Sequence, residues 1–348
     1  MNQLFELKKI DLDFYQNIIR DFLPDRIIDI HTHVWLDKFR IPGVTAPERT
    51  VKWPSMVARD NSVEDLIETY RLMFPDKKVK ALIFGEVSEE IDTKRGNEYV
   101  SGCSKKYGLP SLFVSRPEMS CAELEKAVEE GGFLGCKVYL NFSPHYIPEN
   151  EIRIFDFLPH HHLEVLNRRG WIVMLHIPRP GRLKDPVNLA QMLEIEEKYP
   201  GVKLIIAHVG RAYCSEDMGN AFDVLSRTRN MLFDITANSN VQVFERLIET
   251  VGSERILFGS DLPILRMRAR RICENGSYIN LIPKGLYGDV SADGHMREVD
   301  GEEAEKLTFF MYEEINAFRI AAENMGLTRK QCEDVFYNNA AKLLHIDQ

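Results

Sequence analysis

Eight short apolar runs, separated by longer amphipathic segments, constrain the fold of this 348-residue chain more than any other feature of its sequence. Most of the intervening segments have the apolar spacing of helices, as in "SCAELEKAVEEG" (120–131) and "NVQVFERLIETVG" (240–252). Apolar strands that alternate with helices are typical of a parallel sheet with helices on its faces, and eight such units predict an α/β fold, the (β/α)8 TIM barrel. The runs lie at residues 26–31, 79–87, 109–115, 132–140, 170–177, 201–209, 230–236 and 255–261.

We expect one domain that spans residues 1–348. Its parts are a barrel core over about 26–261, a loop insertion over about 262–301 and C-terminal helices over about 302–346. The segment after the first strand, about 36–61, is also longer than a minimal barrel needs. Long loops in compact domains are usually lids or binding loops, so these two segments predict long active-site loops.

Composition and charge exclude several classes of function. The formal net charge of −9 argues against nonspecific binding to nucleic acid, which requires a basic face. The chain has no run of about 18 apolar residues, so we expect no membrane span, and its charged N-terminus is unlike a signal peptide. Six cysteines are scattered without a CxxC pair, which favours a reducing cytoplasm over a disulfide framework. We therefore expect a soluble, cytoplasmic globular protein.

Histidines and one aspartate stand at or just after the ends of four of the runs: His31 and His33, then His176, His208 and Asp261. In a parallel barrel the active site forms at the carboxyl ends of the strands. A lone buried histidine is more simply a hydrogen-bonded core residue, but packing alone does not explain five such groups at equivalent ends, because unpaired buried polar groups are costly. Neutral imidazoles with one carboxylate suit Zn²⁺ or a similar divalent ion.

Several of these motifs together resemble one known family. "DIHTH" on the first run, "MLHI" on the fifth, "IAHVG" on the sixth and "LFGSDLP" on the eighth resemble the amidohydrolase superfamily of metal-dependent hydrolases. The closing "EDVFYNNAAKLLHI" (333–346) is similar to the terminal helix of its amidohydrolase-2 branch, which includes aminocarboxymuconate-semialdehyde decarboxylase and dicarboxylate lactonases. The similarity covers about residues 26–346.

The resemblance implies roles for these residues. It implies that His31, His33, His176 and Asp261 hold a divalent metal, for which zinc is the expected ion. The sixth-run His208 then either binds a second metal or polarises the substrate. We expect one ion, and the alternative is two ions bridged by a carbamylated Lys137 on the fourth run, with His208 as a ligand. A third role for Lys137 is to pair with a substrate anion or a buried carboxylate.

These parts predict a hydrolase that uses a metal-activated water to cleave an ester, lactone or amide of a small anionic molecule. Asp261 would accept the proton of that water, and His208 would stabilise negative charge on the attacked carbonyl oxygen. Arg179 and Arg211, which follow the fifth and sixth runs, suit recognition of a carboxylate or phosphate, with Lys137 as a further substrate contact.

The motifs leave other functions open. The main alternative is a metal-dependent, non-oxidative decarboxylase of an unsaturated or aromatic carboxylate, a lyase that needs no hydrolytic water. An isomerase is a further alternative, and so is a barrel that binds metal or ligand without catalysis. The resemblance also implies a homodimer. We expect no nucleic-acid or membrane partner.

Overall fold

The computed structural model describes residues 4–45 and 56–346. Each of the eight apolar runs overlaps a parallel strand, and the strands follow one another around the molecule in chain order. These strands are β1 Arg26–His33, β2 Lys78–Phe84, β3 Phe113–Val114, β4 Gly135–Val138, β5 Ile172–Leu175, β6 Lys203–Ile206, β7 Leu232–Asp234 and β8 Ile256–Leu257.

Backbone hydrogen bonds close the strands into a ring. Strand β1 pairs with β2, and β3 to β8 form one six-stranded sheet. Between β2 and β3, the Ile83 amide donates to Pro110 and its carbonyl accepts from Leu112, both at 3.0 Å. Between β8 and β1, the Ile30 amide donates to Phe258 at 3.1 Å, and residues 32 and 262 form a parallel bridge. The predicted (β/α)8 barrel is confirmed.

Helices follow most of the strands and begin and end at local signals. Ser62 and Ser120 cap two of them through capping boxes with Asp65 and Glu123, which satisfy amides at the first turn. The helices are α1 Lys9–Phe14, α2 Val63–Met73, α3 Thr93–Tyr107, α4 Cys121–Gly131, α5 His160–Arg169, α6 Pro186–Lys198, α7 His208–Arg211, α8 Ala221–Leu225, α9 Val241–Val251, α10 Gly301–Glu305, α11 Phe310–Asn324, α12 Arg329–Glu333 and α13 Asn339–Leu344. Within the described residues, every helix is too short or too polar to span a bilayer.

The apolar core has two parts, one on each side of the barrel wall. The larger part lies between the strands and the surrounding helices. The smaller part fills the barrel with side chains such as Ile28, Leu82, Met174 and Ile205, and it continues into α13 through Leu344. The filled interior leaves the carboxyl ends of the strands as the place where polar side chains can converge.

The segment 262–301, expected as a loop insertion, contains three strands. Strands β9 Arg270–Glu274 and β10 Ser277–Pro283 form an antiparallel hairpin, and β11 Met296–Val299 pairs with β10 in parallel. The charged, largely exposed β9 offers no apolar run, which is why the sequence pattern missed it. The turn dipeptide Asn275-Gly276, with φ of 52° and 72°, is the signal that could have found the hairpin.

The expectation that no disulfide forms is wrong for one pair of cysteines. Cys214, which follows α7, is bonded to Cys273 on β9. The two residues are 59 positions apart in the chain, so spacing along the sequence could not reveal the pair. Disulfides are rare in reducing compartments, and the cytoplasmic location expected from cysteine spacing therefore stays an untested prediction.

Candidate active site

Side chains from β1, β4, β7 and the turns after β6 and β8 converge at the carboxyl end of the barrel. Asp261 Oδ1 lies 3.2 Å from His33 Nε2 and 3.5 Å from His31 Nε2. The rings of His31 and His208 have centres 4.9 Å apart. All four side chains are buried. The structure thus brings His31, His33, His208 and Asp261 together, as the strand-end pattern predicted.

Three of the imidazoles are held through Nδ1. His31 Nδ1 lies 2.9 Å from Asp234 Oδ2, His33 Nδ1 lies 3.0 Å from the Gly85 carbonyl, and His208 Nδ1 lies 3.1 Å from the Thr236 carbonyl. A neutral imidazole that donates through Nδ1 keeps a lone pair on Nε2. Outward Nδ1–H bonds of this kind orient histidine ligands toward a metal, so these residues fit a divalent ion.

Asp234, at the end of β7, is the site residue that sequence reasoning missed. It accepts hydrogen bonds from the backbone amides of His208 at 2.6 Å and Thr236 at 3.2 Å, besides its contact with His31. The Asp234 carboxylate therefore links β1 to the turn that follows β6. The signal was present, because "NMLFDIT" places an acidic residue at a strand end, where the other site residues were found.

His176, a predicted metal ligand, lies beside this cluster. Its ring centre is 5.3 Å from that of His208 and 4.6 Å from that of Tyr139. Its buried Nδ1 has no hydrogen-bond partner among the described residues. Two groups of residues have potential ligand atoms within 4.8 Å of one another, His31–His33–Asp261 and His31–His208–Asp234, and neither includes His176. Its role as a ligand stays a prediction.

The backbone around the cluster is unusual. His208, Val209 and Arg211 adopt positive φ values of 58°, 48° and 62°, and Asp261 has φ of 53°. Non-glycine residues in this region cost of order 1–3 kcal/mol each and concentrate at functional sites. Gly259 permits the close approach of the strand ends, because a Cβ at this position would lie 2.7 Å from the His31 Cβ.

Burial and neighbouring charges set the protonation states expected of metal ligands. Burial lowers the pKa values of His31, His176 and His208, which favours neutral imidazoles. Burial alone would raise the pKa of Asp261, but the hydrogen bond with His33 and the nearby imidazoles outweigh it and lower the pKa to about 2. Metal binding requires deprotonated ligands, and this cluster supplies them near neutral pH.

Lys137 on β4 is buried against the same cluster. Its Nζ lies 3.3 Å from His31 Nε2 and 5.1 Å from the centre of the Phe84 ring. Burial lowers its pKa to about 8, while the carboxylates of Asp261 and Asp234 oppose this shift. The amine therefore lies within reach of a ligand at the cluster, and part of its population is neutral near pH 8.

The two predicted substrate arginines are held differently. Arg211 donates through Nη1 to the carbonyls of residues 177, 178 and 179 at 3.0 to 3.3 Å, and its Nε and Nη2 form no hydrogen bond with the part of the chain that the structure describes. Its charge also contributes to the lowered pKa of His176, so it lies near the cluster. Arg179 is engaged in an ion pair, with its Nε 3.1 Å from Asp185 Oδ2.

A family model described as amidohydrolase matches residues 28–346 of the chain. No protein of curated function matches the sequence. The structure is similar to a probable 2-pyrone-4,6-dicarboxylic acid hydrolase from Acinetobacter baumannii solved with citric acid, at 14% identity and a TM-score of 0.54, covering 92% of this chain and 99% of that one.

Two decarboxylases have the same fold. The 5-carboxyvanillate decarboxylase from Sphingomonas paucimobilis is 13% identical, with a TM-score of 0.56 over 93% of this chain and 100% of that one. The dihydroxybenzoic acid decarboxylase from Polaromonas sp. JS666, solved with manganese and the inhibitor 2-nitroresorcinol, is 15% identical, with a TM-score of 0.53 over 93% and 98%. At these identities the likeness supports the barrel fold and does not select one reaction.

Proposed function

Since this chain belongs to the amidohydrolase family, we propose that it is a metal-dependent hydrolase that cleaves an ester, lactone or amide of a small anionic molecule. The observation that carries the proposal is the set of three imidazoles held through Nδ1, two of which, His31 and His33, place Nε2 within 3.5 Å of one carboxylate, Asp261. We further propose that residues 1–348 form one domain and that the protein acts as a homodimer.

The residues proposed to hold one divalent ion are His31, His33, Asp261 and, from across the cluster, His176. Their donor set of imidazoles and one carboxylate suits zinc, while a related decarboxylase was solved with manganese. A divalent ion at this place would supply Lewis-acid activation of water and of a substrate oxygen.

The protein's own groups divide the remaining work. The ionised Asp261 carboxylate accepts the proton of the attacking water and returns it to the leaving group. Negative charge that develops on the attacked oxygen favours the imidazolium form of His208, which then donates from Nε2 while Nδ1 stays bound to the Thr236 carbonyl. Lys137 and Arg211 hold an anionic group of the substrate beside the cluster, because the Lys137 amine lies 3.3 Å from His31 Nε2 and the charge of Arg211 acts on His176.

A non-oxidative decarboxylase of an unsaturated or aromatic carboxylate is the second candidate. The observation that favours it is the position of two cations, Lys137 and Arg211, beside a buried cluster, where they can hold a carboxylate against the ligands. In that reaction Asp261 would act on the substrate carbon or hydroxyl and not on water.

Metal removal and reloading test the proposal. The protein is stripped with a chelator, reloaded with Zn²⁺ or Mn²⁺, analysed for metal per chain and assayed with lactones, esters and aromatic carboxylates. We expect about one ion per chain, no turnover in the stripped protein and formation of a new carboxylic acid without CO₂. Release of CO₂ would instead establish the decarboxylase, and a protein that binds no divalent ion would refute both.

A further inference from the structure

Arg271 on β9 is a buried cation without an acidic partner. Only 8% of the surface of this residue is exposed to solvent. Its Nε donates to Asn280 Oδ1 at 2.9 Å and its Nη1 donates to the Ala237 carbonyl, so both acceptors are neutral. Within residues 4–45 and 56–346, no carboxylate forms an ion pair with it. Neither hydrogen bond uses Nη2, which leaves that nitrogen free to donate to a ligand.

Three aromatic rings surround the guanidinium. Its central carbon lies 4.4 Å from the ring centre of Tyr213, 4.5 Å from that of Tyr278 and 4.6 Å from that of Phe310. Rings stabilise a cation through their faces, but they do not neutralise its charge. The site therefore holds a positive charge in place and leaves it uncompensated.

Neighbouring groups do not cancel this charge. Arg182, which lies 4.9 Å from the Tyr278 ring centre, has its own partner in Asp217 at 2.8 Å. Glu314 accepts from the Ala237 amide and acts on Arg271 only through space, because the two form no ion pair among the described residues; burial raises the pKa of Glu314 well above the ordinary value. A buried charge without a counter-ion is unfavourable, so an anionic ligand would relieve a cost that the fold already bears.

A nearby arginine provides the contrast. Arg268 is also buried, but Asp11 accepts from both of its terminal nitrogens, at 2.8 and 2.6 Å. An arginine with a purely structural role in this segment thus forms an ion pair with a carboxylate of the same chain. Arg271, three residues later, does not.

The Arg271 cage is the set of rings of Tyr213, Tyr278 and Phe310 around the guanidinium. Tyr139 relates this cage to the cluster of strand-end ligands. The ring centre of Tyr139 lies 4.6 Å from that of His176. Burial raises the pKa of Tyr139, and the charges of Arg211, Asp261, Tyr213 and Tyr278 also act on it. The Tyr213 and Tyr278 rings are in edge contact, with centres 4.9 Å apart. Tyr139 therefore packs against the ligand cluster and is coupled electrostatically to two of the rings that surround Arg271.

We propose that Arg271 is a specificity-determining residue that binds a second anionic group of the substrate, remote from the group that reacts at the strand-end cluster. This inference rests on the proposed function for the reacting end, and it names the substrate class as a small molecule with two oxyanionic groups. The second group is a carboxylate or a phosphate, because the free Nη2 of Arg271 donates equally well to either.

The disulfide holds the two walls of this subsite together. Cys273 lies two residues from Arg271 on β9, and Cys214 directly follows Tyr213. The hairpin that carries Arg271 and Tyr278 is thus covalently joined to the loop that carries Tyr213. A subsite organised before the ligand arrives loses less conformational entropy on binding.

Binding measurements on the metal-loaded protein test the proposal. Isophthalate serves as the two-carboxylate probe, benzoate as the one-carboxylate probe, and both dissociation constants are measured by calorimetry. We expect Arg271→Gln to weaken isophthalate roughly 10- to 100-fold, as for loss of a charged hydrogen-bond donor, and to change benzoate less than about twofold. Metal content should stay at the wild-type level.

Two further variants keep the test decisive. Arg270→Gln is the matched control, because Arg270 is the exposed neighbour that pairs with Glu313, and it should bind isophthalate as the wild type does. Arg271→Lys retains the charge without the planar fork and should lie between wild type and Arg271→Gln. If Arg271→Gln does not fold, the proposal is tested on Arg271→Lys. The ratio of isophthalate to benzoate affinity should then be lower in Arg271→Lys than in the wild type, and an unchanged ratio would overturn the subsite.

The outcomes separate the subsite from the reaction. Equal weakening of isophthalate and benzoate, or no weakening of either, overturns the subsite. Inorganic phosphate that competes with isophthalate only when Arg271 is present supports the subsite and identifies a phosphate as the second group. Arg271-dependent isophthalate binding in a protein without metal-dependent turnover would support the subsite and refute the proposed function.

Discussion

The ligand cluster at the strand ends and the Arg271 cage use buried polar groups in opposite ways. In the cluster, His31, His33 and His208 each have Nδ1 bound to an acceptor of the chain, and the Nε2 atoms of His31 and His33 lie 3.5 and 3.2 Å from the Asp261 carboxylate. In the cage, the chain surrounds a cation with rings and neutral acceptors and leaves its charge uncompensated. The cluster is suited to a cation and the cage to an anion, so one substrate can be held from both ends.

The largest effect is expected at the cluster, from Asp261→Asn. This change removes the ionised carboxylate that contacts His31 and His33 and would accept the proton. We expect kcat to fall roughly 10²- to 10⁴-fold, while isophthalate still binds through Arg271 and part of the metal remains. Steady-state kinetics measure kcat, and metal analysis on the same samples gives the metal content per chain.

Asp223→Asn is the matched control for this prediction, because Asp223 is an exposed carboxylate on α8 whose one ion pair with a described residue is with Arg246 at 3.5 Å. It should leave kcat at the wild-type value. Turnover by Asp261→Asn at the wild-type rate would remove the basis for the proposed mechanism.

The second effect is expected on the cage side, from Cys273→Ser. Opening a disulfide that closes a loop of 59 residues lowers the free energy of unfolding by about 2–4 kcal/mol. It should also weaken isophthalate binding a few-fold, because the hairpin is no longer tied to Tyr213, without a change in metal content. Thermal unfolding with and without reductant checks this prediction.

The wild-type protein in reductant should behave like Cys273→Ser, and Cys121→Ser, at a free cysteine on α4, should behave like the wild type. A wild-type melting temperature that reductant does not change would contradict the structural role assigned to the disulfide.

The third effect returns to the cluster. Asp234→Asn keeps the shape of the side chain but removes the charge that orients His31 through Nδ1. Loss of such an orienting partner typically weakens metal affinity by roughly 10- to 100-fold. Chelator competition gives the metal dissociation constant, and saturating metal should recover a large part of the activity. A metal affinity equal to that of the wild type would mean that Asp234 does not orient a ligand.

The smallest effect concerns Glu314, which lies between the two regions. Ala237 donates its amide to Glu314 and accepts from Arg271 through its carbonyl. Burial raises the pKa of Glu314 in the folded state, so its contribution to stability is complete below the unfolded pKa and is lost as pH rises through the folded pKa. Glu314→Gln removes this titration, and its stability relative to the wild type should therefore increase with pH.

Chemical denaturation at several pH values between 5 and 9 measures the difference. A difference that does not change with pH would show that Glu314 does not titrate over this range. A difference that decreases would mean that the carboxylate is stabilised in its charged form.

Features that depend on local chain properties could be predicted. Runs of buried branched residues identified all eight barrel strands, and apolar spacing identified α4 and α9. The convergence of His31, His33, His208 and Asp261 also followed, because the carboxyl ends of parallel strands in a closed barrel face one space. The hairpin of β9 and β10 was missed, since its outer strand is charged and held by hydrogen bonding and a disulfide more than by burial.

The amino-acid sequence by itself determined the barrel, the order of its strands and the set of side chains at their ends, because periodicity and burial are encoded over a few residues. Only the tertiary structure decided how these side chains are used. The contact that orients His31 joins residues 203 positions apart, and the bond between Cys214 and Cys273 spans 59. Arg268 has its counter-ion 257 positions away, whereas Arg271 has none among the described residues. Partners at such separations depend on distances in space, which spacing along the chain does not specify.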